Sequence, residues 1–233
     1  MNFELSEEQK MIQQSVERFV QENYDLPKRV ELSSQDPGYS KDYWNSMAEL
    51  GWLGLPFNEE DGGFGGNQID TLVIMEQFGK GLVLEPFLAN IVLGGGAIQM
   101  GGSEELKNEM LSSLIEGSKQ LALAYAEQQS RFDLEDVATS ARQEGDKYII
   151  NGQKSMVLNA ESADHIVVVA RTNGGQVDEE GITLFLVDSD SKGLERNNFP
   201  TVDGLRASEI TFENVEVNSD RMIGEIDKGF SIL

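Results

Sequence analysis

Residues 103–126 read SEELKNEMLSSLIEGSKQLALAYA, and the periodicity of the chain changes inside this stretch. Ser103 stands where a helix N-cap is expected, and Leu106, Met110, Leu111, Leu114 and Ile115 recur at the spacing of one helical face. Gly117 closes that helix. From about Ser118 the period falls to two, and residues 121–126 read as a strand. Everything upstream of this switch carries helical spacing and everything downstream carries strand and turn signals, so a domain boundary is expected at 117/118.

Upstream, Ser6 with Gln9 three residues later forms a capping-box pattern, and Met11, Ile12, Val16, Phe19 and Val20 then mark one face of a helix over about 6–23. Residues 41–50 predict a second helix with Trp44 and Met47 inward and Gly51 at its end. Asp70 is read as the N-cap of a third ending near Gly79, and Pro86 opens a fourth. Five helices with short connections predict a small bundle over 1–117. Downstream, strand patterns run over 121–126, 139–143, 147–150, 155–158, 165–171, 182–187 and 209–215, separated by Asn-Gly, Asp-Gly and similar turns. Seven short strands with no helix among them predict an antiparallel β sandwich or barrel over 118–228, so the fold class is α+β.

The 233 residues carry 18 Lys+Arg against 41 Asp+Glu, a formal net charge of −23. Nucleic-acid binding releases cations from phosphate against basic side chains, so this balance excludes it, and an anionic membrane surface would repel the chain as well. With 39% hydrophobic residues and 11 Phe it is nonetheless a folding sequence. The absence of Cys removes disulfides, thiolate nucleophiles and zinc–thiolate sites, and a single His165 removes histidine clusters. No export signal is seen in Met1-Asn2-Phe3-Glu4-Leu5, and a cytoplasmic location is expected. The uncharged run from Pro86 to Ser103 contains five glycines and predicts a buried helix of a soluble domain, not a membrane span.

Few residues announce chemistry. Gly62-Gly63-Phe64-Gly65-Gly66 lacks the preceding strand and following Lys-Ser/Thr of a phosphate loop and reads as a turn. Gly94-Gly95-Gly96 lies in a helical pattern, where each glycine costs about 1 kcal/mol relative to Ala. A kink or close packing explains it better than a large group approaching the backbone. Asp188-Ser189-Asp190-Ser191-Lys192-Gly193 opens like a calcium loop, but Lys192 and Phe199 occupy ligand positions 5 and 12, which leaves a β-turn. His165 begins an apolar strand and is read as structural; no metal site and no carboxylate pair stands out.

Six stretches taken in order carry a resemblance: residues 5–9 (LSEEQ), 48–55 (AELGWLGL), 59–66 (EEDGGFGG), 76–79 (EQFG), 151–154 (NGQK) and 212–217 (FENVEV). Together they resemble the acyl-CoA dehydrogenases, over nearly the whole chain. The resemblance implies an N-terminal helical domain, a middle β domain and a C-terminal four-helix domain, with FAD and an acyl-CoA thioester between them. The implied activity is α,β-dehydrogenation in fatty acid metabolism, with electron-transfer flavoprotein as acceptor. In that family the base is a carboxylate on the C-terminal domain; residues 229–233 correspond to the start of that domain, so no catalytic residue is assigned here and this chain alone is expected to be inactive.

The family's flavin positions are altered. Its usual Thr-Glu-Pro, two residues, Gly-Ser-Asp corresponds to residues 126–133, Ala-Glu-Gln-Gln-Ser-Arg-Phe-Asp, where only Glu127 and Asp133 match. After residues 151–154 the family has an aromatic that stacks on the flavin and then a Thr, and these places hold Met156 and Leu158. The resemblance therefore assigns the cofactor-binding surface to Tyr125, Ala126, Arg131, Phe132, Met156 and Leu158, with its hydroxyls and its stacking ring lost. This variant pattern looks like the small subunit of pimeloyl-CoA-type dehydrogenases. It implies a homo- or hetero-oligomer with another dehydrogenase chain, either as one subunit of a heteromeric enzyme or as a flavin-deficient scaffold for a catalytic partner. An ordinary homomeric enzyme tolerating these substitutions stays open beside them.

Overall fold

The computed structural model describes residues 4–233; Met1–Phe3, part of the stretch read for an export signal, lie outside them. The chain divides into two compact units, one running through Glu85 and taking in Ile115–Gly117, the other formed by Pro86–Leu114 and Ser118–Leu233. Among the described residues no helix is long and apolar enough to cross a membrane.

The first unit contains α1 (Glu7–Asn23), α2 (Leu26–Ser33), α3 (Lys41–Glu49) and α4 (Gln68–Gly81). The capping box at Ser6 is present, with the Gln9 N–H donating to Ser6 Oγ at 3.1 Å and the Ser6 N–H to Gln9 Oε1 at 3.0 Å. Helix α2 escapes the periodicity because it buries only Leu32; Asp25 caps it and Pro27 sits in its first turn. The cap of α4 is Asn67, not Asp70. Asp70 stands at the third helical position, where its carboxylate accepts from the Asn67 N–H at 2.7 Å, so the misassignment exchanges the two halves of one capping box. Val16, Met47, Leu53, Phe57 and Ile74 form the core, and Trp44 Nε1 donates to the Gly117 carbonyl at 3.0 Å. The Gly62–Gly66 turn spends its amides on its own chain: those of Gly63, Gly65 and Gly66 bond the carbonyls of Asn58, Phe57 and Leu55. That leaves them no phosphate to cradle.

The second unit opens with a π-helical segment (Leu88–Gly95), then α5 (Gly96–Gly101) and α6 (Glu104–Ile115). Its strands are β1 (Leu121–Ala124), β2 (Ser140–Glu144), β3 (Lys147–Leu158), β4 (His165–Arg171), β5 (Ile182–Asp188), β6 (Leu194–Pro200), β7 (Arg206–Asn218) and β8 (Met222–Ile223). They form one sheet in the order β6-β7-β3-β2-β4-β5-β8, with β1 paired to β4. The sheet is mixed where a wholly antiparallel one was expected. Strand β1 runs parallel to His165–Val168 of β4, and β2 meets the same strand in parallel at Arg171. Such pairings join residues 44 and 31 positions apart and leave no local turn signal. Strand β3 is continuous where two strands were expected, because register shifts at Ile150/Gly152 and at Lys154/Val157 bracket residues 151–154 and interrupt its alternation. Edge strand β6 was missed because it is mostly exposed and carries no apolar alternation.

The glycine run is explained by packing. A Cβ on Gly94 would lie 2.6 Å from Leu121 Cβ, whereas one on Gly96 meets nothing within 4 Å. Buried Asn90 in the same segment is satisfied, accepting from the Leu121 N–H at 2.8 Å and donating to Gln120 Oε1 at 3.1 Å. Gly94→Ala is therefore expected to cost about 1–3 kcal/mol by overpacking. Gly96→Ala, with ordinary helical dihedrals, should gain up to about 1 kcal/mol. Urea unfolding of the two variants checks this; equal effects at the two positions would contradict it.

Candidate functional site

Strands β1 and β2 lie end to end along one edge of β4, and residues 125–139 leave the sheet between them. This excursion is held from below by one buried ion pair. Lys154 Nζ donates to Glu127 Oε1 at 2.7 Å and to the Tyr125 carbonyl at 3.1 Å, with the Lys154 side chain 0% exposed. The same carboxylate accepts from the Thr139 N–H at 3.0 Å, the Ala138 N–H at 2.9 Å and Gln129 Nε2 at 2.8 Å. Glu127 thus joins both ends of the loop to β3. Burial pushes Lys154 down to about 8, against the attraction of Glu127. For Glu127 burial acts upward, but Lys154 and the hydrogen bonds overcome it and hold the carboxyl below its usual range.

The six residues assigned to the cofactor surface lie on two segments that this arrangement brings together. Tyr125 and Ala126 begin the loop, and the Ala126 carbonyl accepts from the Ser155 N–H at 2.9 Å, which stitches the loop to the bulge of β3. Met156 is the exposed residue of that bulge, at φ +53°, and Leu158 follows it half-buried, paired with Ala207. Arg131, at φ +51°, and Phe132 stand farther out, and the Phe132 side chain is 97% exposed. Arg206 opens β7.

The clamp itself was missed by sequence reasoning, which saw no distinctive carboxylate. Its signal was present in the motifs: Glu127 is one of two residues that match the family's flavin loop, and Lys154 ends the stretch at 151–154. A second clamp, Arg171, was missed because arginine at a strand end reads as solvated. Its side chain is buried and donates to four backbone carbonyls, those of Glu135, Gln176, Asp178 and Glu180.

The donor set decides how a flavin would be met. Ser130 is the one Ser or Thr of residues 125–133, and it is spent inward: its Oγ accepts from the Glu127 N–H and donates to the Glu127 carbonyl, both at 3.0 Å. Ala126 and Leu158 have no polar side-chain atom and Met156 has no aromatic face. At these three positions the side chains differ from the flavin pattern that the resemblance implies, while Tyr125 and Arg131 bring a ring hydroxyl and a guanidinium to the same two segments. His165 Nδ1 hydrogen-bonds the Asp188 carboxylate at 2.8 Å, beside Arg221, at the start of β4. Residues 188–193 fold as a turn, closed by the Ser191 N–H to the Asp188 carbonyl.

The acyl-CoA dehydrogenase N-terminal domain matches residues 6–118, and the acyl-CoA dehydrogenase middle domain matches residues 122–215. This chain belongs to the acyl-CoA dehydrogenase family. A probable acyl-CoA dehydrogenase of Bacillus subtilis, YngJ, is 32% identical over 99% of this chain and 61% of its own length. CarC of Acetobacterium woodii, a subunit of a caffeyl-CoA reductase–Etf complex, is 30% identical over 97% of this chain and 60% of its own. The structure of the FAD complex of PigA superposes with a TM-score of 0.89 at 27% identity, over 100% of this chain and 62% of that one. The chain spans about 60% of the length of these relatives. Its helical region followed by a sheet domain corresponds to the first two domains of the acyl-CoA dehydrogenases.

Proposed function

We propose that this chain is one subunit of a heteromeric acyl-CoA dehydrogenase, acting on an acyl-CoA thioester in the cytoplasm and sharing its cofactor site with an unlike dehydrogenase chain. One observation carries this reading. The Glu127–Lys154 clamp that shapes the flavin loop is intact, while Ala126, Met156 and Leu158 stand where the resemblance implies a hydroxyl, a stacking ring and a second hydroxyl. The frame of the site is kept and its grip on the cofactor is reduced. In such an enzyme a bound FAD would supply the hydride chemistry at the carbon β to the thioester. This chain's own part is to hold residues 125–133 and the bulge of β3 in place through the Glu127–Lys154 clamp. No residue among its 233 is assigned as the proton-abstracting base. The CarC relative, named as part of an Etf complex, supports an electron-transfer flavoprotein as redox partner, and its name as a reductase supports reaction in either direction.

The full-length protein expressed alone is expected to purify colourless or with much less than one FAD per chain, and to become yellow when co-expressed with an acyl-CoA dehydrogenase encoded beside it. Near-stoichiometric flavin in the chain alone would sink the heteromeric reading. Colourless protein in both preparations would favour the second reading, a scaffold that supports a catalytic partner without holding flavin. The 233 residues by themselves should not oxidise acyl-CoA with an artificial electron acceptor; measurable turnover would place a base within them.

A further inference from the structure

Two surface loops of the sheet unit are fastened to each other by a single guanidinium. Arg171 donates from Nη1 to the carbonyls of Asp178 (2.7 Å) and Glu180 (2.8 Å) and from Nη2 to those of Glu135 and Gln176 (2.8 Å each). The Val137 N–H bonds the Gln176 carbonyl at 3.0 Å, and Gln176 Nε2 donates to Asp136 Oδ1 at 2.7 Å. Residues 131–137 and 173–180 are therefore one built surface.

That surface is apolar at its tips and acidic around them. Phe132 is 97% exposed and Val177 63% exposed, with Leu134 also open to solvent. The carboxylates beside them are Asp133, Glu135, Asp136, Asp178, Glu179 and Glu180, against Arg131 as the one basic residue not turned into the clamp. Arg171 spends its four Nη contacts on main-chain carbonyls and attracts Asp136 and Asp178, while Asp133, Glu179 and Glu180 are exposed, so negative charge stays in excess at this surface. A phenylalanine on a fastened loop has about 150–250 Å² to bury and little freedom to lose, which are the attributes of an interface anchor. The carboxylates then set the sign of what can approach. A second copy of this chain would bring the same six acidic groups and the same net charge of −23.

We propose that residues 131–137 and 173–180 form the docking face for a lysine- and arginine-rich surface of the unlike subunit, with Phe132 and Val177 as its apolar anchors. This rests on the two-subunit reading above and adds the place and the chemistry of the contact.

The test uses the tagged full-length protein isolated from the cells that make it, with the co-purifying dehydrogenase chain identified by mass, then produced separately as the probe. Phe132→Ala with Val177→Ser should weaken the complex about ten- to a hundredfold at any salt concentration. Reversal of Asp178, Glu179 and Glu180 to Lys should slow association about tenfold at low salt and flatten its salt dependence. In the unaltered complex, a zero-length carbodiimide should join partner lysines to carboxylates of these two loops. Unchanged binding in both variants, or cross-links confined to other surfaces, would overturn the docking face while leaving the two-subunit reading intact. If no dehydrogenase-family chain co-purifies, both fall. Self-association lost in the variants would also overturn the proposal, since the occupant would then be a second copy.

Discussion

Lys154→Met is expected to lower the stability of the sheet unit by about 3–5 kcal/mol, because it strands the Glu127 carboxylate in a buried site without its cation. The double variant Lys154→Met/Glu127→Leu should recover only part of this. Removing both charges ends the uncompensated burial, but it leaves the Ala138 and Thr139 N–H groups without the carboxylate that accepts from them. Urea unfolding measures both; a single variant within 1 kcal/mol of the parent would mean that the pair is not buried as described. The pH dependence adds a signed expectation. Below pH 8 Lys154 is charged in both folded and unfolded chains and its burial cost is present in full. Between about 8 and the ordinary lysine value near 10.4 the folded chain releases the proton first, so the unfolded state binds more protons and this group's contribution to stability rises with pH. That rising component should be missing from Lys154→Met. The variant's deficit should instead narrow as pH falls toward the carboxylate range, where Glu127 can take up a proton.

Returning the lost groups to the loop and bulge should strengthen FAD binding roughly a hundredfold. In Ala126→Thr/Met156→Trp/Leu158→Thr, two regained hydroxyl bonds contribute about 1 kcal/mol each and a stacking ring about 0.5–1.5 kcal/mol. Their sum is about 3 kcal/mol, and each 1.4 kcal/mol is tenfold in affinity. The backbone makes the exchange practicable: Met156 already holds φ +53° as a non-glycine and is exposed, and Ala126 and Leu158 are only half-buried, so no change falls in a packed core. Quenching of flavin fluorescence, titrated against the flavin-free full-length chain and the variant, reads the difference. If the affinity does not move, the loop and the bulge do not face the flavin, and the altered residues have no bearing on cofactor content.

Much of this chain is legible in one dimension because the relevant physics is local. A capping box spans three residues, as Ser6 and Gln9 show. The change from a 3.6-residue to a two-residue period across residues 103–126 marks the passage from helix to sheet, because it reflects which side of each element is buried. The six motifs likewise give the family. Within such signals small errors persist, and Asn67 and Asp70 exchange places since either residue type suits a cap.

What only the tertiary structure decides is where charge and apolar surface end up. Lysine is ordinarily solvated, yet Lys154 is fully buried, because a carboxylate and a carbonyl brought from residues 125–127 replace its water. Phenylalanine is ordinarily buried, yet Phe132 is exposed, because its loop is pinned by Glu127 and Arg171 away from the sheet's core. The parallel seating of β1 and β2 on one edge of β4 creates that loop, and it depends on hydrogen bonds between residues far apart in sequence. Periodicity records which side of an element faces inward; the partner it meets there is chosen by the fold, and in this protein that choice places the candidate site.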